Sequence, residues 1–360
     1  MSQMKTVVVA GAVGIIGRAV ISHFDQVPNA KVIAVSRRKP DYPTKAEHIP
    51  VDLLDAESCR ALLANRNDIT HIVHAAYQEK QTQAEQVGPN LAMLENLVRA
   101  VADASPRLRH VTLMQGTKAY GPHLGAFSTP AKESDSRHMP PNFYYNQEDF
   151  LRAASKEASW TWTALRPAGV IGMAVGNPMN LLMVISVYAV ISKALGLPLV
   201  FPGTWESYQS LFQVTDARLL ARATEWAGEE PACAGQTYNI TNGDFFRWSR
   251  VWPVIAKFFQ MEVGAPLAIS LNEMMADKGD LWSKLVDRFD LLPTAFENLA
   301  RWGYGDFVFK APYDNLSTTI KARKAGFQDC IDTDEMFIEF FTMLQNARVI
   351  PKDLSKLGPV

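Results

Sequence analysis

Residues 5–24 read KTVVVAGAVGIIGRAVISHF. Val7, Val8 and Val9 are consecutive β-branched residues, the composition of a parallel strand covered on both faces. Gly11-Ala12-Val13-Gly14-Ile15-Ile16-Gly17 follows, and then an apolar pattern of helical period through Phe24. The spacing is G-x-x-G-x-x-G. Gly11 permits a tight turn, Gly14 lets the backbone approach a pyrophosphate, and Gly17 lets the helix pack closely on the sheet. The helix start at Ile15 and Ile16 offers free N–H groups to the anion. A glycine trio alone is a weak signal. Placed between a strand and a helix, inside a strand-helix-strand unit, it marks a dinucleotide-binding turn.

Reading outward, KVIAVSRRKP is the next strand. A carboxylate at its end would hold the ribose hydroxyls of NAD. Ser36, Arg37 and Arg38 stand there instead. A pair of guanidinium groups suits a 2′-phosphate, so the expected cofactor is NADP(H); the competing reading is a solvated basic loop. EHIPVDLLDAES adds a third strand, ending at Asp52 and Leu53 on the adenine side. DITHIVHAA is a fourth, with His71 and His74 near its end. Strand residues three apart face opposite ways and no third ligand is nearby, so a metal reading fails. His74, Ala75 and Ala76 are expected to line ribose and phosphate. A long helix is predicted from about Asn90 to Ala104, and RHVTLMQGTKAYG is a fifth strand whose exit puts Gln115 on the cofactor side. Strands alternating with helices predict an α/β fold, a doubly wound parallel sheet of the Rossmann type that binds ligands at its carboxyl ends.

Composition narrows the function classes. Lys and Arg number 36 against 37 Asp and Glu in 360 residues, so no global field draws the chain to nucleic acid or an anionic membrane. Cys59, Cys233 and Cys330 form neither a disulfide framework nor a zinc spacing, which fits a reducing cytosol and predicts a cytoplasmic protein without a metal. The opening MSQMKTVVVAGAVG does not read as a signal peptide. The apolar run LLMVISVYAVIS from Leu181 is too short to span a bilayer; a buried helix from Met179 to Leu195 is expected. The cofactor domain is predicted over residues 1–175 with about 210–243. Residues 176–209 and 244–360 are predicted to form a smaller substrate lobe.

Many nicotinamide-dependent enzymes on such folds need a tyrosine and a lysine four residues apart on one helix. None of the ten tyrosines has that lysine. In NFYYNQED, residues 142–149, Tyr144 is followed by Glu148 and Tyr145 by Asp149. Lys118 in QGTKAYGP sits beyond the fifth strand and could reach a helix-borne tyrosine from there. GAVGIIG, SRRKP, QGTKAYGP, PNFYYNQED, RPAGVIG, MNLLMVISVYAVISKALG, YNITNGDFFRW and RWGYGD, in this order, resemble the progesterone 5-beta-reductase and iridoid synthase family, atypical extended short-chain dehydrogenases. The resemblance runs from about Val7 to Pro351.

That resemblance implies Lys118 and Tyr144 as the catalytic pair and NADPH-dependent reduction of the carbon–carbon double bond of a small apolar enone or enal. Hydride addition to the β-carbon throws charge onto the carbonyl oxygen, which the enzyme must hold more tightly than the neutral substrate. Tyr145 competes with Tyr144, since neighbours on a helix point about 100° apart. Glu148 and Asp149 are expected to favour the helix's first turn electrostatically, or to cap or pair elsewhere. The resemblance further implies that Pro167, Val170 and Ile171, in a sixth strand WTWTALRPAGVIG, pass under the nicotinamide. Met179, Tyr77 (often tryptophan in the family), Tyr304 (often phenylalanine) and Tyr208 are candidate pocket walls, the alternative being ordinary core aromatics. The chain departs from the family in a loop one residue shorter, with Ala119 for a histidine and His123 for an apolar ring. His123 either bonds a polar substituent or is solvated. A homodimer is compatible with the family. A carbonyl reductase, a nucleotide-sugar epimerase or dehydratase, and a non-catalytic NADP-binding sensor remain as alternatives.

Overall fold

The computed structural model describes residues 4–177 and 179–358. The predicted strands are present as β1 (Lys5–Ala10), β2 (Ala30–Ser36), β3 (Glu47–Pro50), β4 (His71–His74), β5 (His110–Met114) and β6 (Thr161–Pro167). With Gln236–Ile240 they form one seven-stranded sheet, every neighbouring pair parallel, in the order Gln236–Ile240, β6, β5, β4, β1, β2, β3. Strand order reverses between β1 and β4. This is the expected doubly wound sheet, and the reversal opens a crevice at the strands' carboxyl ends.

The helices cover both faces. Helix α1 (Ile15–Phe24) packs with Ala217–Glu229, while α2 (Ala56–Leu63), α3 (Gln83–Ala104) and α4 (Phe143–Ala154) cover the other side. Val8, Ala10, Ile33, Ile72 and Val111 pack there under Leu94, Leu97, Val98 and Leu151. Helix α3 begins about two turns before the predicted Asn90. Thr82 accepts from the Glu85 backbone and the Glu85 side chain accepts from the Thr82 N–H, a reciprocal cap that carries the helix through Pro89.

The chain divides into two compact units. The first comprises the residues up to Ala168, Ala217–Thr241 and Ser317–Asp329 and holds the large sheet. The second comprises Gly169–Asp216, Asn242–Leu316 and the residues from Cys330 on. The predicted sixth strand is therefore two pieces. Pro167, which has no N–H for a ladder, ends β6; Gly169–Ile171 pairs with Val214–Asp216 in a small sheet of the second unit. That unit is built on the predicted apolar helix, observed as Leu181–Ala194, buried at almost every position and started by the Asn180 side chain, which accepts from the Met183 N–H at 3.3 Å. Phe201, Trp252 and Phe309 meet edge to face in the same core. Among the described residues no helix is long and apolar enough to cross a membrane.

Candidate active site

The glycine turn has the geometry its spacing demands. Gly11 has φ +81°, and a Cβ there would lie 2.7 Å from the Ala75 carbonyl oxygen, so the loops after β1 and β4 touch backbone to backbone. A Cβ on Gly17 would lie 2.2 Å from the Gly11 carbonyl oxygen; only glycine lets α1 start this close to the strand. Gly14 is the residue before α1, whose start has no side-chain cap and no acidic residue in its first turn. Helices α2, α3 and α4 are each capped by a side chain, from Asp55, Thr82 and Asn142. Arg18 donates to the Gly14 carbonyl at 2.9 Å, and the N–H groups of a helix's first turn point along its axis toward whatever lies at its start, the place an anion takes. The cradle fits a dinucleotide pyrophosphate.

Beyond β2, the Ser36 hydroxyl donates to the Arg38 carbonyl at 2.7 Å and lies 3.3 Å from His48 Nε2. Arg37 and Arg38 are exposed, and neither joins an ion pair among the described residues. Asp52 is exposed and accepts from the Leu54 N–H, closing its own turn, whereas the Leu53 side chain is buried in the core under α3. His74 is 1% exposed, and neither ring nitrogen has a partner. Burial pushes its pKa down to about 4, so it is a neutral imidazole. Ala75 continues β4's pairing by donating to the Ala10 carbonyl, and Ala76 is half-buried against the same core.

Lys118 lies in a short turn, Thr117–Tyr120, directly after β5. The loop is held from α4's side. Its Lys118 carbonyl accepts from the Asn142 amide at 3.0 Å and faces His138 Nε2 at 3.2 Å. The next carbonyl, of Ala119, accepts from the Tyr145 hydroxyl at 2.7 Å, and that hydroxyl in turn accepts from the His138 N–H at 3.2 Å. Burial draws the Lys118 ammonium below the usual lysine range, and the Glu79 carboxylate opposes that.

The two tyrosines therefore part company. Tyr145 is buried and its hydroxyl is committed to the Lys118 loop. Tyr144 is half-buried, and its hydroxyl lies beside Gly116, where a Cβ would come within 3.3 Å of it and 3.6 Å of the Pro167 carbonyl. Gly116 is two residues before Lys118. Thus the Tyr144 hydroxyl, the Pro167 carbonyl and the Lys118 loop come together at the carboxyl ends of β5 and β6.

Glu148 and Asp149 do not occupy the first turn of α4, which begins at Phe143 and has no acidic residue there. They pair elsewhere, the second of the two readings their sequence left open. Asp149 binds Arg137 at 2.8 Å, and Glu148, 5% exposed, meets Arg166 at 2.9 Å. Gln115 is equally buried. It donates to the Tyr144 carbonyl at 2.9 Å and accepts from Arg166 Nε at 2.8 Å, so its side chain is spent on the scaffold. Arg166 was legible only as a charge inside the apolar strand WTWTALRP. Asn142, which the sequence reading missed, carries the N-cap signal of an asparagine directly before the apolar residues of a helix start. Neither pointed to its partner.

Of the expected pocket residues, Tyr77 stacks on Phe143 with ring centres 5.7 Å apart, and its hydroxyl donates to Gln86 at 3.3 Å. His123 packs edge-on to His138, and its Nδ1 is buried without a partner. Burial, helped by the Lys118 charge, pushes its pKa down to about 4. These two belong to the first unit. Val170, Ile171, Met179, Tyr208 and Tyr304 belong to the second. There Val170 and Ile171 lie in the small parallel pair and Met179 just precedes the Asn180 cap. Tyr208 packs on Phe201 at 4.9 Å, and Tyr304 lies against the same core.

Residues 48–351 match the family model described as a PRISE-like Rossmann-fold domain. The chain belongs to that family. It is 31% identical to the (S)-8-oxocitronellyl enol synthase ISY1 of Nepeta racemosa, over 95% of this chain and 92% of that one. It is 29% identical to the 3-oxo-Delta(4,5)-steroid 5-beta-reductase of Arabidopsis thaliana, with the same coverage of each. By this kinship it is an oxidoreductase. Among solved structures, a short-chain dehydrogenase/reductase superfamily protein of Agrobacterium tumefaciens with bound NAD shares the fold, with a TM-score of 0.65, 14% identity, and coverage of 96% of this chain and 98% of that one.

Proposed function

We propose that this protein reduces the activated carbon–carbon double bond of an enone or enal with NADPH, Tyr144 holding the carbonyl oxygen and Lys118 supporting it. One observation carries the reading. The Tyr144 hydroxyl and the Lys118 loop converge at Gly116 although the chain has no Tyr-x-x-x-Lys pair. The kinship to a 5-beta-reductase supports the same chemistry.

NADPH, when bound, supplies the hydride. The glycine turn and α1 start would hold its pyrophosphate, Ser36, Arg37 and Arg38 its 2′-phosphate, and Asp52, Leu53, His74, Ala75, Ala76, Gln115 and Pro167 would border the rest. As charge develops on the substrate's carbonyl oxygen, the Tyr144 O–H strengthens its hydrogen bond to it, which is worth roughly 3 kcal/mol of barrier. The Lys118 ammonium raises the donor strength of that hydroxyl. In conjugate reduction the oxygen need only be held while the α-carbon takes a proton. Tyr77 and His123, in the first unit, are proposed walls for a largely apolar substrate. The setting proposed is the cytoplasm, with homodimerisation compatible.

The test is NADPH consumption with cyclohexenone, progesterone and a monoterpenoid enal, followed by product analysis. A saturated carbonyl product supports the reading. An allylic alcohol would assign carbonyl reduction instead, and tight NADPH binding without turnover would assign a sensor.

A further inference from the structure

The residue four positions after Tyr144 is Glu148, where the usual helix-borne lysine would stand. It is not a solvated charge. Its side chain and that of Arg166 are each 7% exposed, and Arg166 Nη2 donates to Glu148 Oε2 at 2.9 Å. The same guanidinium donates from Nε to Gln115 Oε1 at 2.8 Å, and Gln115 Nε2 donates to the Tyr144 carbonyl at 2.9 Å. Its third nitrogen reaches the Tyr120 hydroxyl at 3.2 Å, and Tyr120 donates to Asn239 at 2.5 Å. The second Glu148 oxygen is closed by Arg152 at 3.0 Å and Arg137 at 3.5 Å. One cation thus ties the end of β5, the turn that bears Lys118 and two successive turns of α4.

A helix can rotate about its axis, and about 100° separates the directions of Tyr144 and Tyr145. Gln115 fixes the backbone of α4 at Tyr144, and Arg166 fixes a side chain one turn later on nearly the same face. Two anchors one turn apart fix that rotation. We propose that Arg166, with Glu148 and Gln115, is a positioning device that aims the Tyr144 hydroxyl at the place where substrate oxygen is held. This rests on the reading that Tyr144 is the hydrogen-bond donor in catalysis.

The pair is also structural, so stability and positioning must be separated. Glu148→Gln leaves the buried Arg166 guanidinium without its carboxylate, and Arg166→Met takes from Glu148 its buried partner and leaves it only the more exposed Arg152 and Arg137; both are expected to lose thermal stability and rate together, the first more than the second. In the double variant Glu148→Leu/Arg166→Met no charge is stranded, and replacing a buried pair by apolar residues is often neutral or stabilising. Its melting temperature and NADPH affinity are expected to return close to wild type. Its kcat is expected to stay about tenfold to a hundredfold low, the usual consequence of a misplacement near 1 Å, with KM little changed. Recovery of kcat along with melting temperature would overturn the proposal, because a merely structural pair predicts both. Gln115→Met carries the test if the double variant does not fold: it breaks the link to Tyr144 without stranding Glu148, and wild-type kcat in it would equally overturn the proposal. If wild type turns over no enone, the reading of Tyr144 has failed, and the device is then decided by the Tyr144 ring resonance in 13C-tyrosine-labelled protein, assigned with Tyr144→Phe. A shift in the double variant or in Gln115→Met supports it and an unmoved resonance refutes it.

Discussion

Replacing each of the adjacent tyrosines by phenylalanine should produce opposite defects. Tyr145→Phe removes a buried hydroxyl that donates to the Ala119 carbonyl at 2.7 Å and accepts from the His138 N–H at 3.2 Å. Both partners then lie unsatisfied beside a buried ring, at a cost of about 1–3 kcal/mol. At about 2–4 °C per kcal/mol for a unit of this size, the melting temperature falls by roughly 2–12 °C. The rate falls only a few-fold, through looser seating of the Lys118 loop. Tyr144→Phe removes a half-buried hydroxyl beside Gly116 and leaves Tyr145's bonds in place. Stability stays within about 1 kcal/mol, while loss of the oxygen-holding bond, near 3 kcal/mol, lowers kcat about 150-fold. The assay pairs thermal unfolding with initial rates of NADPH consumption on whichever enone wild type reduces. If Tyr145→Phe is the slower enzyme, or if the two rates fall alike, the assignment of Tyr144 is wrong.

Arg37→Ala and Arg38→Ala should each raise the NADPH KM about 10- to 100-fold, the worth of one charge-assisted bond, and leave the NADH KM nearly unchanged; equal effects on both cofactors would remove these residues from the 2′-phosphate site. Gly17→Ala drives a methyl to 2.2 Å from the Gly11 carbonyl oxygen and should cost at least about 1–3 kcal/mol together with NADPH binding, read by denaturation and by cofactor fluorescence. His74 and His110 are 1% and 3% exposed, and burial pushes their pKa values down to about 4 and about 3. Both are depressed below the unfolded value of about 6.5, so the unfolded chain binds more protons once pH falls below that value. Full stability is present above pH ~6.5 and is lost on acidification toward pH ~4, by about 2 kcal/mol per histidine at pH ~5. Urea unfolding at pH ~7.5 and ~5 checks this, and His74→Gln should shrink the difference by about 2 kcal/mol, leaving the His110 share.

The parts of the site that were legible in the sequence are local ones. The glycine spacing, the β-branched run before it and the arginines after β2 each express a constraint acting within a few residues. The alternating strands and helices were readable for the same reason. Glu148 was not, because its partner Arg166 lies on another element. Nor was the break at Ala168: Pro167 signals the end of a strand, but only the available pairing partners assign Gly169–Ile171 to a different sheet.

By itself the sequence determined a doubly wound sheet, a glycine turn between its first strand and first helix, and the absence of any Tyr-x-x-x-Lys pair, since periodicity, glycine conformation and residue spacing act at short range. Tertiary structure alone decided which tyrosine is committed to the scaffold and which is presented at Gly116. The physical reason is that a side chain's direction depends on how its helix is rotated. That rotation is set here by buried hydrogen bonds from Gln115, just after β5, and from Arg166 on β6, which no local pattern connects to Tyr144.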